Sequence, residues 1–280
     1  MAILLISDGS ADLPKEVLEE SGVTIIPLSV HFEHEQFSSS ELTSGQFYSK
    51  MKSETLLPKT SSPSPHDFME IYKQAEGKDV LVLALSSALS STYNHAKLAA
   101  EMMQEENYKG NIEVIDSRSA SNGLGLMIYR AAQSIKEGFG FKEVVDRAKQ
   151  EVADSRTLIF LETLENVVKG GRLDRVKGAL ASFLNIKLLM HRTDEGAIEV
   201  LEKVRGSQNA VKRLIDKIGE VREECGKKDV LAIAHSNCEE KAKAIRDMVM
   251  QRYTFREVHI SEMGPVIGTY AGEGGIVVSL

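Results

Sequence analysis

Short hydroxyl side chains gather at four places where a strand or loop precedes a helical pattern. These stretches are SDGSADLP (7–14), TSSPSPHD (60–67), LSSALSSTYN (85–94) and DSRSASNGLG (116–125). The third holds four serines and one threonine in the seven positions from Ser86 to Thr92. Because one helix N-cap uses one side-chain oxygen, this cluster exceeds what capping requires. The excess indicates a ligand that is bound by neutral hydrogen-bond donors.

The expected ligand group is a small anion, either a carboxylate or a phosphate. Helix N-termini present unpaired N–H groups and a partial positive charge, and neighbouring hydroxyls can donate to an anion. Loops that follow parallel strands open at one edge of the sheet, where ligands usually bind. The alternative role is capping: Ser64, Pro65 and Asp67 have the pattern of a capping box, and Ser91 and Ser121 each precede or open a helical pattern.

Other catalytic patterns are weak in this sequence. It contains no G-x-S-x-G elbow and no Walker loop. His31 and His34 flank Glu33, but a strand would splay their side chains, so we predict no metal site. A serine hydrolase stays open because triad partners need not be close in sequence. A phosphate-handling enzyme of kinase-like or sugar-phosphate type is the main alternative to a binding protein; no catalytic residue and no cofactor is predicted.

The elements that must position these hydroxyls alternate along the chain. Apolar, strand-like runs occupy residues 2–7, 23–30, 79–85, 111–116, 157–162, 198–204, 229–235, 257–263 and 274–280. Helical periodicity lies between them, as in the stripe Leu124, Met127, Ile128, Ala131 and Ile135. The alternation predicts an α/β protein with largely parallel sheet. Two successive helical patterns end near residues 154–157, which predicts domains at 1–155 and 156–280.

Bulk composition excludes several classes of function. The net charge of −7 and the pI of about 5.6 disfavour a nucleic-acid binder. The two cysteines, Cys225 and Cys238, do not form a disulfide framework or zinc motif by their spacing. No apolar run approaches the length of a membrane span, and the N-terminus lacks the features of a signal peptide. We therefore expect a cytoplasmic protein.

Seven short motifs occur in order between residues 7 and 275. They are SDGSADLP, TSSPSP, LSSALSSTYN, DSRSASNGLG, LETLENVVKGGR, NIK (185–187) and GPVIGTYAGEGG (264–275). Together they resemble the DegV family of bacterial fatty-acid-binding proteins. The resemblance implies two α/β domains, with a parallel-rich sheet in the first, a mixed sheet in the second and a ligand cleft between them.

The resemblance also implies a function and a set of site residues. A long-chain fatty acid such as palmitate, stearate or oleate would be presented to the catalytic protein of a fatty acid kinase. The acyl phosphate product would feed phospholipid synthesis, and this chain would not itself be an enzyme. The implied ligand-binding residues are Thr60, Ser61, Ser90, Ser91, Ser117, Arg172 and Tyr270.

The sequence departs from the family pattern at three positions. Gly9 stands where the first motif usually has a hydroxyl, Leu188 where a proline is common, and Tyr270 where a histidine is usual. A phenol donates a hydrogen bond but does not take up a proton as imidazole does. We therefore expect carboxylate binding to survive this change. We also expect the kinase to dock near the cavity mouth through basic residues such as Arg172, Arg175 and Lys177.

Overall fold

The computed structural model describes residues 3–173, 186–226 and 228–280. Its strands are β1 (Ile3–Asp8), β2 (Thr24–Ile26), β3 (Ser29–His31), β4 (Gln36–Ser38), β5 (Lys59–Ser61), β6 (Asp79–Ala84), β7 (Ile112–Asp116), β8 (Thr157–Phe160), β9 (Ile186–Arg192), β10 (Ile198–Arg205), β11 (Val230–His235), β12 (Glu257–Glu262) and β13 (Ile276–Ser279). Its helices are α1 (Lys15–Ser21), α2 (Ser44–Ser53), α3 (Pro65–Gln74), α4 (Thr92–Glu105), α5 (Ser121–Lys136), α6 (Phe141–Asp154), α7 (Glu165–Lys169), α8 (Ser207–Glu224), α9 (Glu239–Arg252) and α10 (Pro265–Ala271).

The first sheet is parallel and has the strand order β2-β1-β6-β7. Its central strands are continuously apolar because helices cover both faces. Three of the four hydroxyl clusters follow β1, β6 and β7 directly, so they meet at the carboxyl edge of this sheet. The predicted parallel-rich first sheet is confirmed.

The second sheet is mixed and has the order β10-β9-β8-β13-β11-β12. Only β11 and β12 pair in parallel within it; the other neighbours in this order are antiparallel. This confirms the expected mixed sheet. The strand β9 was not predicted, and it forms a hairpin with β10.

A small third sheet, in the order β4-β3-β5, is a difference from the sequence prediction. The run at residues 23–30 was predicted as one strand. It divides at Pro27 and Leu28 into β2, in the parallel sheet, and β3, in the third sheet. Proline lacks the N–H that a continuous ladder needs, which accounts for the division. The third sheet contains β5, which carries Thr60 and Ser61.

Helix α5 joins the two large sheets. Its predicted stripe packs on the first sheet, with Leu124, Met127 and Ile128 fully buried. On another face, Leu126 packs against Val230 and Ala232 of β11. A helix that is apolar on more than one face is a buried helix, so the two halves share α5 as a common layer. No helix in the described ranges is long and apolar enough to cross a bilayer.

Glycines at 264, 268, 272, 274 and 275 are typical of a loop, but the segment 264–275 is not a loop throughout. Its first part forms α10, which Pro265 opens at the first helical position. Gly268 lies within this helix, where an added Cβ would come within 2.6 Å of the Tyr48 hydroxyl. The glycine therefore permits close packing. Only Gly272 and Gly274, with φ of 65° and 85°, make the turn before β13.

Candidate functional site

A cavity of about 340 Å³ lies between the hydroxyl-rich edge of the first sheet and one face of the second sheet. Along β8 and the residue that follows it, the alternate residues Thr157, Ile159 and Leu161 line the cavity, as strand geometry requires for a single face. Its remaining apolar lining comes from Leu28, Leu85, Leu89, Ala120, Val167, Ala197, Ile198, Val266, Ile267, Ala271 and Val277. The cavity is thus an apolar chamber with hydroxyls at its walls.

One polar group at the cavity wall is built around Tyr270 at the end of α10. Its hydroxyl lies 2.7 Å from Thr60 Oγ1, so the phenol is fixed against β5. The Arg172 guanidinium stacks over the Tyr270 ring at 4.6 Å, and it donates to the carbonyls of Leu89 and Gly170. These contacts hold the half-buried arginine side chain at the cavity wall. It is therefore not a freely exposed surface charge.

The serines before α4 form a second polar group. Ser91 Oγ lies 2.7 Å from Ser62 Oγ, which in turn lies 3.3 Å from His95 Nδ1. Ser90 Oγ lies 2.9 Å from Thr92 Oγ1. Although Ser91 occupies the N-cap position of α4, its side chain makes no capping hydrogen bond. Ser90 Oγ also accepts from the Thr92 N–H at 3.3 Å, and both serines lie at the cavity wall.

The two capping predictions for other serines had opposite outcomes. Ser64 and Asp67 form the predicted capping box of α3, with both reciprocal hydrogen bonds present. The prediction for Ser121 was wrong, because Ala120 is the N-cap of α5 and Ser121 donates to Asp12 at 2.6 Å. Burial of the Asp12 carboxyl nearby makes that hydrogen bond more favourable than a cap exposed to solvent.

The structure brings six of the seven predicted site residues to this one cavity. They are Thr60, Ser61, Ser90, Ser91, Arg172 and Tyr270. Ser117 is not among the lining residues: it is fully buried, and its hydroxyl donates to the Ser119 carbonyl while accepting from the Ser119 N–H. Ser119 and Ser121, from the same loop, line the cavity in its place. The sequence could not select among these serines because the loop conformation decides which of them face the cavity.

Sequence reasoning also missed three lining residues, Ser62, Thr157 and Arg192. Ser62 belongs to the hydroxyl cluster at 60–67, and Thr157 is the first residue of the predicted strand at 157–162. Both could therefore have been considered from the sequence. Arg192 could not, since it ends the unpredicted strand β9. The motif residue Asn185 and the basic residues Arg175 and Lys177 lie outside the described ranges.

Two buried carboxyls hold the hydroxyl loops in place. Asp8 accepts hydrogen bonds from Ser10 and from the Leu85 N–H, and burial raises its pKa. Asp12 accepts from the Gly264 N–H at 2.8 Å and from Ser121. Burial raises the pKa of Asp12 to about 7, although both hydrogen bonds act to lower it. Asp12 thereby connects the start of α10 to the first sheet.

The donor set suits an organic acid better than a metal ion. Within the described ranges, no group of three or more His, Cys, Asp or Glu side chains could hold a metal ion. The His31 Nε2 atom lies 2.8 Å from Ser61 Oγ, at the edge of the cavity wall. Hydroxyls, a phenol and the Arg172 guanidinium beside it can donate to a carboxylate, and the apolar chamber can hold a hydrocarbon chain.

Comparisons with known proteins agree with this arrangement. The family model DegV, described as an uncharacterised protein family, matches residues 2–280. A DegV domain-containing protein of Clostridium perfringens is 30% identical, with 98% of this chain and 96% of the relative covered. A DegV family structure from Ruminococcus gnavus, refined with vaccenic acid, superposes with a TM-score of 0.92 at 32% identity over 99% of each chain.

A second solved structure has the same architecture. It is the DegV family protein from Thermus thermophilus described by its fatty acid binding, with a TM-score of 0.88 and 28% identity. The alignment covers 100% of this chain and 99% of that one. With a family model that spans almost every residue and these full-length similarities, the chain belongs to the DegV family.

Proposed function

We propose that this protein is a non-enzymatic carrier that binds one long-chain fatty acid between domains 1–155 and 156–280. The observation that carries the proposal is the cavity itself, an apolar chamber with six hydroxyl- or cation-bearing residues of the predicted set at its wall. Palmitate, stearate and oleate are the expected ligands. We infer no catalytic residue and no cofactor, and we place the carrier in the cytoplasm.

Burial of the acyl chain and hydrogen bonding of the carboxylate make separate contributions to the free energy of binding. Each buried methylene contributes about 0.8 kcal/mol, so a chain of about 14 methylenes contributes on the order of 10 kcal/mol. Tight binding therefore does not require a strong ionic clamp. The carboxylate still needs hydrogen-bond donors, because an unpaired buried charge is very costly. Neutral hydroxyls supply them and leave the acid open to reaction at a partner enzyme.

We place the carboxylate between the Thr60–Tyr270 pair and the Ser90 and Ser91 hydroxyls. Arg172 lies against the Tyr270 ring and contributes positive charge nearby. The related structures support this class of ligand, since the Ruminococcus gnavus protein is refined with vaccenic acid and the Thermus thermophilus protein is described by its fatty acid binding.

Native mass spectrometry tests the proposed ligand. The protein purified from cells should carry the added mass of one fatty acid, and delipidated protein should take up one equivalent of palmitate or oleate. A clean apo mass that does not change on addition of either acid would reject the proposal. Turnover of ATP and Mg²⁺ by this chain alone would instead favour the phosphate-handling enzyme.

We further propose that the bound acid is phosphorylated by the catalytic protein of a fatty acid kinase. The ordered motifs that resemble the carrier family support this step. Arg172 is half-buried against Tyr270, so the sequence-based docking prediction is best tested at Arg175 and Lys177. The double variant Arg175→Glu/Lys177→Glu should lower acyl phosphate formation by the kinase at least about tenfold while palmitate affinity changes little.

A matched control keeps the same change in charge at a distant place. Lys136 and Lys142 are exposed on α5 and α6, and Lys136→Glu/Lys142→Glu should leave acyl phosphate formation near the wild-type rate. Equal rates for both double variants would contradict the placement of the kinase. They would not affect the proposed fatty acid binding, which is measured separately.

A further inference from the structure

The proposed carboxylate position, formed by the Thr60–Tyr270 pair with Ser90 and Ser91, is called the headgroup site below. A buried arginine lines the cavity from β9, a strand that contributes no residue to this site. Arg192 lines the cavity at the end of β9 and is only 7% exposed. Its terminal nitrogens donate to the carbonyls of Arg118, Val152 and Ser155. The Nε atom is buried and has no acceptor among the described residues. A buried N–H without a partner costs free energy, so a ligand oxygen that reached Nε would remove this cost.

A hydroxyl with a spare acceptor site lies on the same face of the sheet. The Asn122 amide nitrogen donates to the Val277 carbonyl, which fixes its Oδ1 as an acceptor for Ser279 Oγ at 2.8 Å. Because the Ser279 hydroxyl donates its proton to Asn122, it can only accept from Thr157, whose Oγ1 donates to it at 2.9 Å. Thr157 Oγ1 keeps lone pairs that can accept a further hydrogen bond. Ser119 Oγ is its nearest other partner, at the long distance of 3.5 Å.

This second polar group is separated from the headgroup site along β8. Leu161 lies at the headgroup end, since a Cβ added at Gly275 would meet both Leu161 and Ala271, the neighbour of Tyr270. Thr157 lies four residues earlier on the same face, about 13 Å away at 3.3 Å per residue. Ile159 lies between them on the apolar wall. The cavity is therefore polar at two places with an apolar stretch between them.

We infer that the Arg192 and Thr157 end of the cavity binds a hydroxyl group on the acyl chain, so that the protein accepts hydroxylated long-chain fatty acids as ligands. This inference rests on the proposed fatty acid binding. A chain hydroxyl can accept from Arg192 Nε–H and donate to Thr157 Oγ1 at the same time, because a hydroxyl has both functions. A methyl end has neither function and would leave the Arg192 Nε–H without an acceptor.

The competing occupant of this end is an ordered water, and affinity distinguishes the two. A hydroxyl buried in a purely apolar slot loses its hydrogen bonds to water, which would make an ω-hydroxy acid about tenfold or more weaker than the plain acid of the same length. A hydroxyl that meets a matched donor and acceptor recovers that loss. The relative affinity of hydroxylated and plain acids therefore shows whether the Arg192 and Thr157 end of the cavity, the distal end, hydrogen-bonds to a chain hydroxyl.

The experiment uses delipidated full-length protein and isothermal titration with ω-hydroxy acids from laurate to stearate, each paired with the plain acid. At the chain length that reaches Thr157, the hydroxy acid should bind at least as tightly as its plain partner. If each hydroxy acid binds about tenfold or more weakly than its partner, the inference is overturned while fatty acid binding stands. If neither acid of any pair binds, the proposed function itself fails.

Two variants at the Arg192 and Thr157 end, and one at the headgroup site, assign the effect to its place in the cavity. Thr157→Val keeps the shape of the side chain and removes the acceptor, so the affinity ratio of hydroxy to plain acid should fall about tenfold. Ser90→Ala, at the headgroup site, should weaken both acids and leave their ratio unchanged. Arg192→Lys retains the charge but removes the Nε donor, and it should also lower the ratio. A ratio that does not respond to Thr157→Val or Arg192→Lys would contradict the assignment.

Discussion

Hydroxyl side chains at helix starts have two kinds of hydrogen-bond partner in this protein. Ser64 caps α3 through a reciprocal pair of hydrogen bonds with Asp67. Ser91 occupies an N-cap position but its hydroxyl contacts Ser62 instead. The number of hydroxyls in a cluster indicates a site, but only the hydrogen-bond partners show which of them remain for a ligand.

We predict that the double variant Ser90→Ala/Ser91→Ala binds palmitate much more weakly and still folds. Each lost hydrogen bond to a carboxylate should lower affinity about tenfold, measured by titration of delipidated protein. The free energy of unfolding should change by less than about 1 kcal/mol, because Ser91 makes no capping hydrogen bond and the contact from the Thr92 N–H to Ser90 Oγ is long, at 3.3 Å. Unfolding of the whole protein with no selective loss of binding would show that these serines are structural.

The Thr60–Tyr270 pair should act as one unit in binding. Tyr270→Phe and Thr60→Val each remove one partner of the 2.7 Å hydrogen bond, and each should weaken palmitate binding about fivefold. The double variant should lose less affinity than the product of the two single losses, because both changes break the same contact. Independent, multiplicative losses in this double-mutant cycle would argue against a shared role.

At the scale of single elements, the helices differ in what fixes their ends. The capping box makes the start of α3 a local property of the four residues from Ser64 to Asp67, whereas α10 depends on distant partners. Asp12 accepts from the N–H of Gly264, and Gly268 packs against Tyr48 from α2. The helix that carries Tyr270 is thus positioned by the first half of the chain.

The capping hydroxyl of Ser64 gives a prediction that contrasts with the one for Ser90 and Ser91. Ser64→Ala removes the side-chain acceptor of the Asp67 N–H and should lower the free energy of unfolding by about 1 kcal/mol. Chemical denaturation measures this change. Palmitate affinity should stay within about twofold of wild type, which makes this variant the matched control for Ser90 and Ser91. A large loss of affinity without a loss of stability would contradict the capping role.

At the scale of the whole molecule, the buried carboxyl of Asp12 links stability to pH. Its pKa is about 7 in the folded protein, compared with an ordinary value of 3.8. The folded state therefore binds this proton more tightly than the unfolded chain does. The stability that results is fully present below about pH 4 and is lost as the pH rises through 7.

Comparison with Asp12→Asn isolates this effect. An asparagine stays neutral and can still accept from Gly264 and donate to Ser121, so its contribution to stability should not vary with pH. Between pH 5 and 7 the free energy of unfolding of the wild type should fall relative to the variant, by up to about 1.4 kcal/mol per pH unit. Denaturant titrations at several pH values measure the difference. Parallel pH profiles for the two proteins would contradict a raised pKa.

Patterns that depend on near neighbours in the chain were readable from the sequence. Strand–helix alternation predicted the α/β class and the parallel-rich first sheet, because side-chain periodicity follows from backbone geometry. The capping box at Ser64 was readable for the same reason. The clusters after β1, β6 and β7 had to converge, since loops at the carboxyl ends of parallel strands share one edge.

Tertiary structure decided the features that depend on residues far apart in sequence. The division at Pro27, the third sheet and the β9–β10 hairpin arise from strand pairing, which leaves little trace in local composition. The same is true of which serines face the cavity: Ser119 and Ser121 line it while Ser117 bonds within its own loop. Nothing in the sequence marked Arg192 as a cavity residue, because its burial beside Thr157 and the loops of the first sheet arises only in the folded chain. Burial and hydrogen-bond partnership are properties of the folded chain.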